Sequence, residues 1–250
     1  MDNLFIESIA RWIHIVAGVM WIGHLYFFNF VNSQFAPTID AETKKKVVPE
    51  LMPRALYFFR WGAAYTWVTG VLLLMLAYYH RGIMFVGDGH WGPASILAIV
   101  VVFGAPIVYD QLYKTVLKDP KVGFVGGLIL ATAMLCYMAW IANFGYQAYA
   151  IHLGAMFGTI MAFNVWFRIW PAQQQIIRAT KEGTPPDANL VALAGTRSKH
   201  NTYMSVPLLF TMMNAHAPWA ANPLLVAGIV LVGWGATYWL YNQSKTVKGF

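Results

Sequence analysis

Long apolar stretches recur along the whole chain, and they limit the folds open to it more than any other feature. A helix needs about 20 mostly apolar residues to span a bilayer. Only 11% of the 250 residues are charged, whereas soluble domains have about 25%. We therefore predict an all-α, polytopic membrane helix bundle with about seven transmembrane helices, forming a single transmembrane domain over residues 1–250. The predicted spans are approximately 5–31, 56–79, 93–116, 122–142, 147–170, 201–216 and 223–243.

Proline marks the start of several of these spans. The pairs Gly92-Pro93, Asp119-Pro120 and Asn222-Pro223 each precede an apolar run. Proline is tolerated in the first turn of a helix because the amide it lacks has no partner there. We therefore predict that helices begin at these three prolines. Pro207 instead interrupts the sixth span, which is the least regular of the seven.

The connecting segments alternate between rich and poor in basic residues. The basic segments are 34–55, 118–121, 168–200 and the C-terminal residues. Arg81 is the only Lys or Arg in the alternate segments, which are 80–92, 143–147 and 217–222. Since cytoplasmic loops are enriched in Lys and Arg, we predict an N-terminus outside and a C-terminus in the cytoplasm. This topology accounts for the net charge of +7, so the basic character indicates no nucleic-acid partner.

Five histidines fall at two depths in this topology. His14 and His152 lie in the outer halves of their spans, and His216 lies at the outer surface. His24 and His200 lie near the inner surface. Two histidines on different helices at one depth are what axial ligation of haem b requires. We therefore predict one or two haems b, whose iron is held by ligands drawn from the outer group or from the inner pair.

Four further polar residues are candidates for contacts to a substrate or to haem propionates. Arg197 and Lys199 beside His200 can hold an anion, or they can simply set the membrane topology. Asn164 either lines a substrate pocket or hydrogen-bonds across helices, and Asn201, next to His200 at the membrane surface, reaches a cofactor or substrate site. The residues alone leave these alternatives open.

Copper binding is a third interpretation of the sixth span. Thioethers favour Cu(I), and Met204, Met212 and Met213 precede His216 in this span. Methionines in a membrane protein more often serve packing, which makes this interpretation weaker than haem. The lone Cys136 excludes a disulfide framework and any Cys-x-x-Cys site.

Three stretches carry a resemblance to a known family. They are "RWIHIVAGVMWIGHLYFFNFVNSQF" at 11–35, "NVWFRIWPAQQ" at 164–174 and "SKHNTYMSVPLLFTM" at 198–212. They resemble the membrane domain of the bacterial cytochrome-c-linked urate oxidase (urate hydroxylase) family. That resemblance implies urate oxidation in purine degradation, with electrons passing from a membrane domain to a C-terminal cytochrome c domain.

The end of the chain departs from the family pattern. It reaches Phe250 without a Cys-x-x-Cys-His motif, so we expect a separate c-type cytochrome to accept the electrons. The expected partners are the lipid bilayer and a c-type cytochrome or other subunits of a membrane complex. We expect a haem b-binding oxidoreductase or electron-transfer subunit of the urate oxidase type in the bacterial inner (cytoplasmic) membrane. The alternative is a non-catalytic structural subunit of a larger respiratory or photosynthetic complex, which needs no haem.

Overall fold

The computed structural model describes residues 2–249, and the side chains of residues 4–249. Within this part of the chain, the regular structure is helical, and the β-structure amounts to an isolated antiparallel bridge between Phe85 and Phe144. The predicted all-α class is therefore confirmed. The long helices are α1 (Asp2–Tyr26), α2 (Ala41–Leu73), α3 (Pro93–Lys114), α4 (Pro120–Cys136), α5 (Tyr146–Asn164), α6 (Trp170–Glu182), α7 (Ala188–Met212) and α8 (Pro223–Thr246).

Three helices begin at the prolines that the sequence predicts. They are α3, α4 and α8. The Asp119 carboxylate accepts hydrogen bonds from the amides of Lys121 and Val122 at 2.9 and 3.0 Å. It thereby caps the free amides at the start of α4.

Four of the helices pass into a π-helical segment at their C-terminal end. These segments are Phe27–Asn32, Leu74–Tyr79, Tyr137–Ile141 and Val165–Ile169. Each widens the helix by one residue per turn, which rotates the side chains that follow it. Such segments occur frequently at functional sites, and several of the polar side chains described below lie in or next to one.

Six helical segments of the described chain are long and apolar enough to cross a membrane. They are Leu4–Thr38, Ala41–Tyr79, Pro93–Lys114, Pro120–Ile141, Tyr146–Glu182 and Pro223–Thr246. Only residues 201–212 of the predicted span 201–216 lie in α7, which begins earlier, at Ala188, and is not among these six. The end of the predicted span forms a separate 3₁₀ turn, Asn214–His216. The multi-pass character is supported by these helices, while the seventh span and the sides of the two termini stay predictions.

The second of these segments is much longer than a bilayer requires. Its 39 residues correspond to about 58 Å of helix at 1.5 Å per residue, against about 30 Å of hydrocarbon. Its first turns carry Lys44, Lys45 and Lys46. Just before it, Asp40 accepts hydrogen bonds from the amide and hydroxyl of Thr43, which hold the pKa of that carboxyl below its usual value.

The described chain divides into two compact units, each built from segments that are distant in sequence. The first comprises the residues up to Glu7, Gly70–Ile160 and Met204–Gly235. The second comprises Ser8–Thr69, Met161–Tyr203 and the residues from Ala236 onward. The prediction of a single domain stays a prediction.

The first unit is held by polar contacts near its loops and by small residues in its helices. The Tyr146 hydroxyl donates to the carbonyl of Ala217 at 2.8 Å, and the Glu7 carboxylate accepts from the Arg81 guanidinium. A Cβ atom at Gly233 would lie 3.0 Å from Cδ of Pro207. The absence of a side chain at this glycine therefore lets α8 approach α7 at the proline.

The second unit depends on a close backbone approach between α1 and α2. A Cβ atom at Gly62 would lie 3.0 Å from the amide nitrogen of Trp21 and 3.2 Å from the carbonyl oxygen of Ala17. Both of these atoms are backbone, so they cannot move without shifting α1. Small residues allow such approaches between membrane helices.

Gly62→Ala should therefore destabilise the protein in spite of alanine's better helix propensity. Forcing extra atoms into a packed contact costs about 1–3 kcal/mol. The midpoint of thermal unfolding in detergent measures the effect. Gly104→Ala is the matched control, because nothing lies within 4 Å of a Cβ atom at that helical glycine. Equal midpoints for the two variants would contradict the close contact.

Candidate functional site

His152 lies fully buried on α5 with both ring nitrogens hydrogen-bonded. Its Nδ1 lies 2.7 Å from the Ala148 carbonyl oxygen, and its Nε2 lies 2.9 Å from the Tyr79 hydroxyl. A carbonyl oxygen only accepts, so Nδ1 carries the proton and Nε2 accepts from Tyr79. The Tyr79 ring stacks on the imidazole at a centroid distance of 5.6 Å. His152 can bind iron only when the Tyr79 hydroxyl moves off Nε2.

His24 on α1 has the same proton arrangement but an open second nitrogen. Its Nδ1 donates to the Met20 carbonyl oxygen at 2.7 Å, so the lone pair is on Nε2. No hydrogen bond to Nε2 is found within the described chain. Metal-ligating histidines commonly donate their other N–H to a carbonyl in this way. The ring packs on Phe58, with centroids 6.1 Å apart.

An apolar groove of about 410 Å³ opens beside His24. Small side chains at Gly23 and Ala55 leave room along it, and Phe27 and Leu51 supply apolar surface. The groove therefore combines an imidazole of fixed orientation with a water-poor surface. An imidazole of fixed orientation is also how proteins present a histidine ligand to a metal.

His14 also presents Nε2 as its lone-pair atom. Its Nδ1 lies 3.2 Å from the Thr69 hydroxyl oxygen. That hydroxyl donates to the Tyr65 carbonyl at 2.6 Å, so it acts as an acceptor toward His14. His14 is half-buried, and its orientation is fixed by a side chain of α2.

The remaining predicted metal ligands lie in different settings. His200 is half-buried in the middle of α7, whereas His216 is exposed at the end of a 3₁₀ turn, Asn214–His216. Of the candidate copper ligands, Met204 is buried, while Met212 and Met213 are exposed. Within the described residues, no group of three or more His, Cys, Asp and Glu side chains is placed to hold a metal ion.

Asn164 and Asn201 form a fully buried link between α5 and α7. The Asn164 amide donates to Oδ1 of Asn201 at 2.8 Å, and the Asn201 amide donates to the Met161 carbonyl at 3.0 Å. The structure therefore brings these two predicted residues together, as an interhelical contact. Arg197, also predicted, is buried on the same helix with 3% exposure.

Lys199 is the predicted polar residue that lines an open cavity. The cavity has a volume of about 320 Å³, and Lys245, Tyr203 and Tyr241 also line it. The Lys199 Nζ atom lies 5.8 Å from the centroid of the Tyr241 ring. Two ammonium groups give the cavity positive charge, and the tyrosine rings give it apolar surface.

Asn29 also lines this cavity, and its side chain connects three helices. Its amide donates to the Leu25 carbonyl at 2.9 Å and to the Ser198 hydroxyl at 2.8 Å, and its Oδ1 accepts from Tyr241 at 2.8 Å. Neither Asn29 nor Tyr241 is among the predicted site residues. Asn29 has a signal in the sequence: it is an asparagine inside an apolar span, where an unpaired amide is energetically costly and so needs a partner on another helix.

Comparison with known proteins gives a match at the level of a family. A family model described as urate oxidase N-terminal matches residues 38–249. No curated protein and no solved structure matches the chain. The matched region contains His152, His200 and both lysines of the cavity, Lys199 and Lys245. His14 and His24 lie before it.

Asn201→Ala should destabilise the protein by about 1–3 kcal/mol, the usual cost of breaking buried hydrogen bonds. The variant removes the acceptor of the Asn164 amide and the donor to Met161 at once. Thermal unfolding in detergent again provides the measurement. Asn189→Ala on the same helix is the control, since Asn189 is exposed and surface substitutions usually stay within about 0.5 kcal/mol. A midpoint equal to that of the control would refute the role of the Asn164–Asn201 link.

Proposed function

We propose, because the chain belongs to the urate oxidase N-terminal family, that it is a haem b-binding membrane oxidoreductase or electron-transfer subunit of the urate oxidase type. Electrons would pass on to a separate c-type cytochrome, and the protein would reside in the bacterial inner membrane. The observation that carries the proposal is the His24 imidazole, whose Nε2 is open on an apolar groove while its Nδ1 is held by a carbonyl.

His24 would hold the haem iron through Nε2, with His200 as the proposed second ligand. Haem, when bound, supplies one-electron chemistry. The Met20 carbonyl fixes the orientation of the ring, and Phe58 supports one face of it. His14 is the next candidate because its Nε2 is also set up as an acceptor. His152 and His216 remain candidates for the outer group, and at His152 ligation competes with the Tyr79 hydroxyl.

The Lys199 cavity is the proposed place for an anionic substrate such as urate. Urate is a flat anion with several hydrogen-bonding groups. Lys199 and Lys245 offer positive charge, and the tyrosine rings offer apolar surface. Arg197, Asn201 and Asn164 are buried in helix contacts, so we assign them to support of α7 and not to direct binding.

A non-catalytic role in a larger respiratory or photosynthetic complex is the second candidate function. The structural role is favoured by His152, because both of its ring nitrogens are hydrogen-bonded within the protein. A buried histidine that serves only packing needs both nitrogens paired. Under this alternative the protein binds no haem, and exposed apolar residues of α1, such as Trp12 and Val19, contact lipid or neighbouring subunits.

The purified protein should show a reduced-minus-oxidised spectrum of haem b and about one or two haems per chain by pyridine haemochrome assay. His24→Ala should lower the haem content by at least about half, since it removes an axial ligand. His90→Ala is the matched control, because His90 is exposed in a loop. Absence of haem from the wild-type protein would reject the oxidoreductase and favour the structural subunit.

Urate should reduce the bound haem, and Lys199→Ala should raise the urate concentration needed for half-maximal reduction. Loss of one charge contact of about 1.4 kcal/mol corresponds to about tenfold. The haem content of the variant should stay at the wild-type level. Lys118→Ala, at an exposed lysine of a short turn, serves as the control. An unchanged urate dependence in Lys199→Ala would remove the cavity from the proposal.

A further inference from the structure

Arg60 is a charged residue inside the second predicted span, 56–79, and is not among the predicted site residues. A guanidinium is charged at any physiological pH. Its side chain is half-buried, and within the described chain its buried Nε atom has no hydrogen-bond partner. Ionisable residues in a membrane span are costly and are retained where they serve a function. The Arg60 guanidinium therefore has hydrogen-bond donors to offer to a group outside the chain.

Aromatic rings hold the guanidinium in place without using its hydrogen-bond donors. The Arg60 Cζ atom lies 3.9 Å from the ring centroid of Trp170, 5.9 Å from that of Trp166 and 5.8 Å from that of Tyr57. Trp166 is fixed in turn, because its indole N–H donates to the Arg60 carbonyl at 3.1 Å. Stacking on a ring occupies the face of a guanidinium and leaves its N–H edge for an oxyanion.

This site is separate from the His24 groove. Gly62 faces α1, and Arg60 lies two residues before it on α2. At about 100° per residue, the two positions point about 200° apart around the helix. Arg60 instead lies next to the π-helical segment Val165–Ile169, which supplies Trp166. A haem held by His24 would therefore leave Arg60 without a partner.

The depth and surroundings of Arg60 point to lipid. It lies four residues, about 6 Å of helix, inside the inner end of its predicted span, and a long side chain near a span end reaches the headgroup level. The neighbouring Tyr57 and Phe167 are 50% and 61% exposed. Tryptophan and tyrosine are typical of that interface, so an oxyanion at Arg60 would sit among the headgroups with apolar chains alongside.

We propose that Arg60, stacked on Trp170 and flanked by Trp166 and Tyr57, binds the phosphate of an anionic phospholipid at the inner surface of the membrane. The guanidinium edge donates to two phosphate oxygens. The exposed aromatic side chains lie along the acyl chains. This site is independent of haem and of urate, and the predicted abundance of basic segments on the same side of the membrane favours a negatively charged lipid.

The test measures stabilisation by lipid in delipidated, detergent-purified protein. Dioleoyl phosphatidylglycerol, dioleoyl phosphatidylcholine and inorganic phosphate are added separately, and the unfolding midpoint is recorded. Phosphatidylglycerol should raise the midpoint of the wild-type protein more than the other two additions do. Arg60→Gln should lose most of that rise. Arg54→Gln is the matched control on the same helix, because Arg54 is exposed and pairs with Glu50.

Native mass spectrometry of lipid retention covers the case in which Arg60→Gln does not fold. Arg60→Lys keeps the charge but loses the planar fork, so it should retain less phosphatidylglycerol than the wild-type protein does. Equal retention in Arg60→Lys, or an equal midpoint rise in Arg60→Gln, would overturn the proposal. Equal protection by inorganic phosphate would show a site for free oxyanions, and equal protection by phosphatidylcholine would show no preference for anionic lipid. Either result also overturns it.

Discussion

A polar group surrounded by lipid must find its partner within the protein, and this constraint governs most of the structure. The chain meets it with few side chains placed between helices. Asn29 uses both amide atoms to connect α1 with α7 and α8. Asn164 and Asn201 connect α5 with α7 through the hydrogen bond from the Asn164 amide to Oδ1 of Asn201. Where such links are complete, the apolar remainder of each helix is free to face lipid.

The same constraint separates the histidines by what their second nitrogen contacts. His24 and His152 each donate Nδ1–H to the carbonyl four residues earlier, so local helix geometry sets both rings alike. The difference arises at Nε2, which meets Tyr79 in one case and an open groove in the other. The Tyr79 hydroxyl at Nε2 favours a packing role for His152, whereas the open groove at Nε2 favours a ligand-binding role for His24.

Much of the fold follows from the sequence, and less of the site does. Proline positions predict where α3, α4 and α8 begin, because the local chemistry of a first turn decides it. An apolar run predicts only the part of a helix that lies in lipid. The runs that begin at residues 201 and 56 therefore do not predict that α7 begins at Ala188 or that α2 begins at Ala41. The partner of His152 lies 73 residues away along the chain. No local pattern predicts a contact of that kind, whereas a lone arginine in an apolar span, such as Arg60, is visible in the sequence alone.

The length of α2 has a mechanical consequence. Lys44 lies 12 residues before the predicted span at 56–79, or about 18 Å at 1.5 Å per residue. α2 stays helical over this distance although it contains Pro49 and Pro53, so it holds the lysine cluster beyond the predicted span on a helix that proline bends. A protein that approaches this face would meet the positively charged cluster of Lys44, Lys45 and Lys46 before it meets the membrane. A cluster of this charge would attract and orient an acidic protein surface, and the bend of the helix would set how closely that surface approaches the membrane.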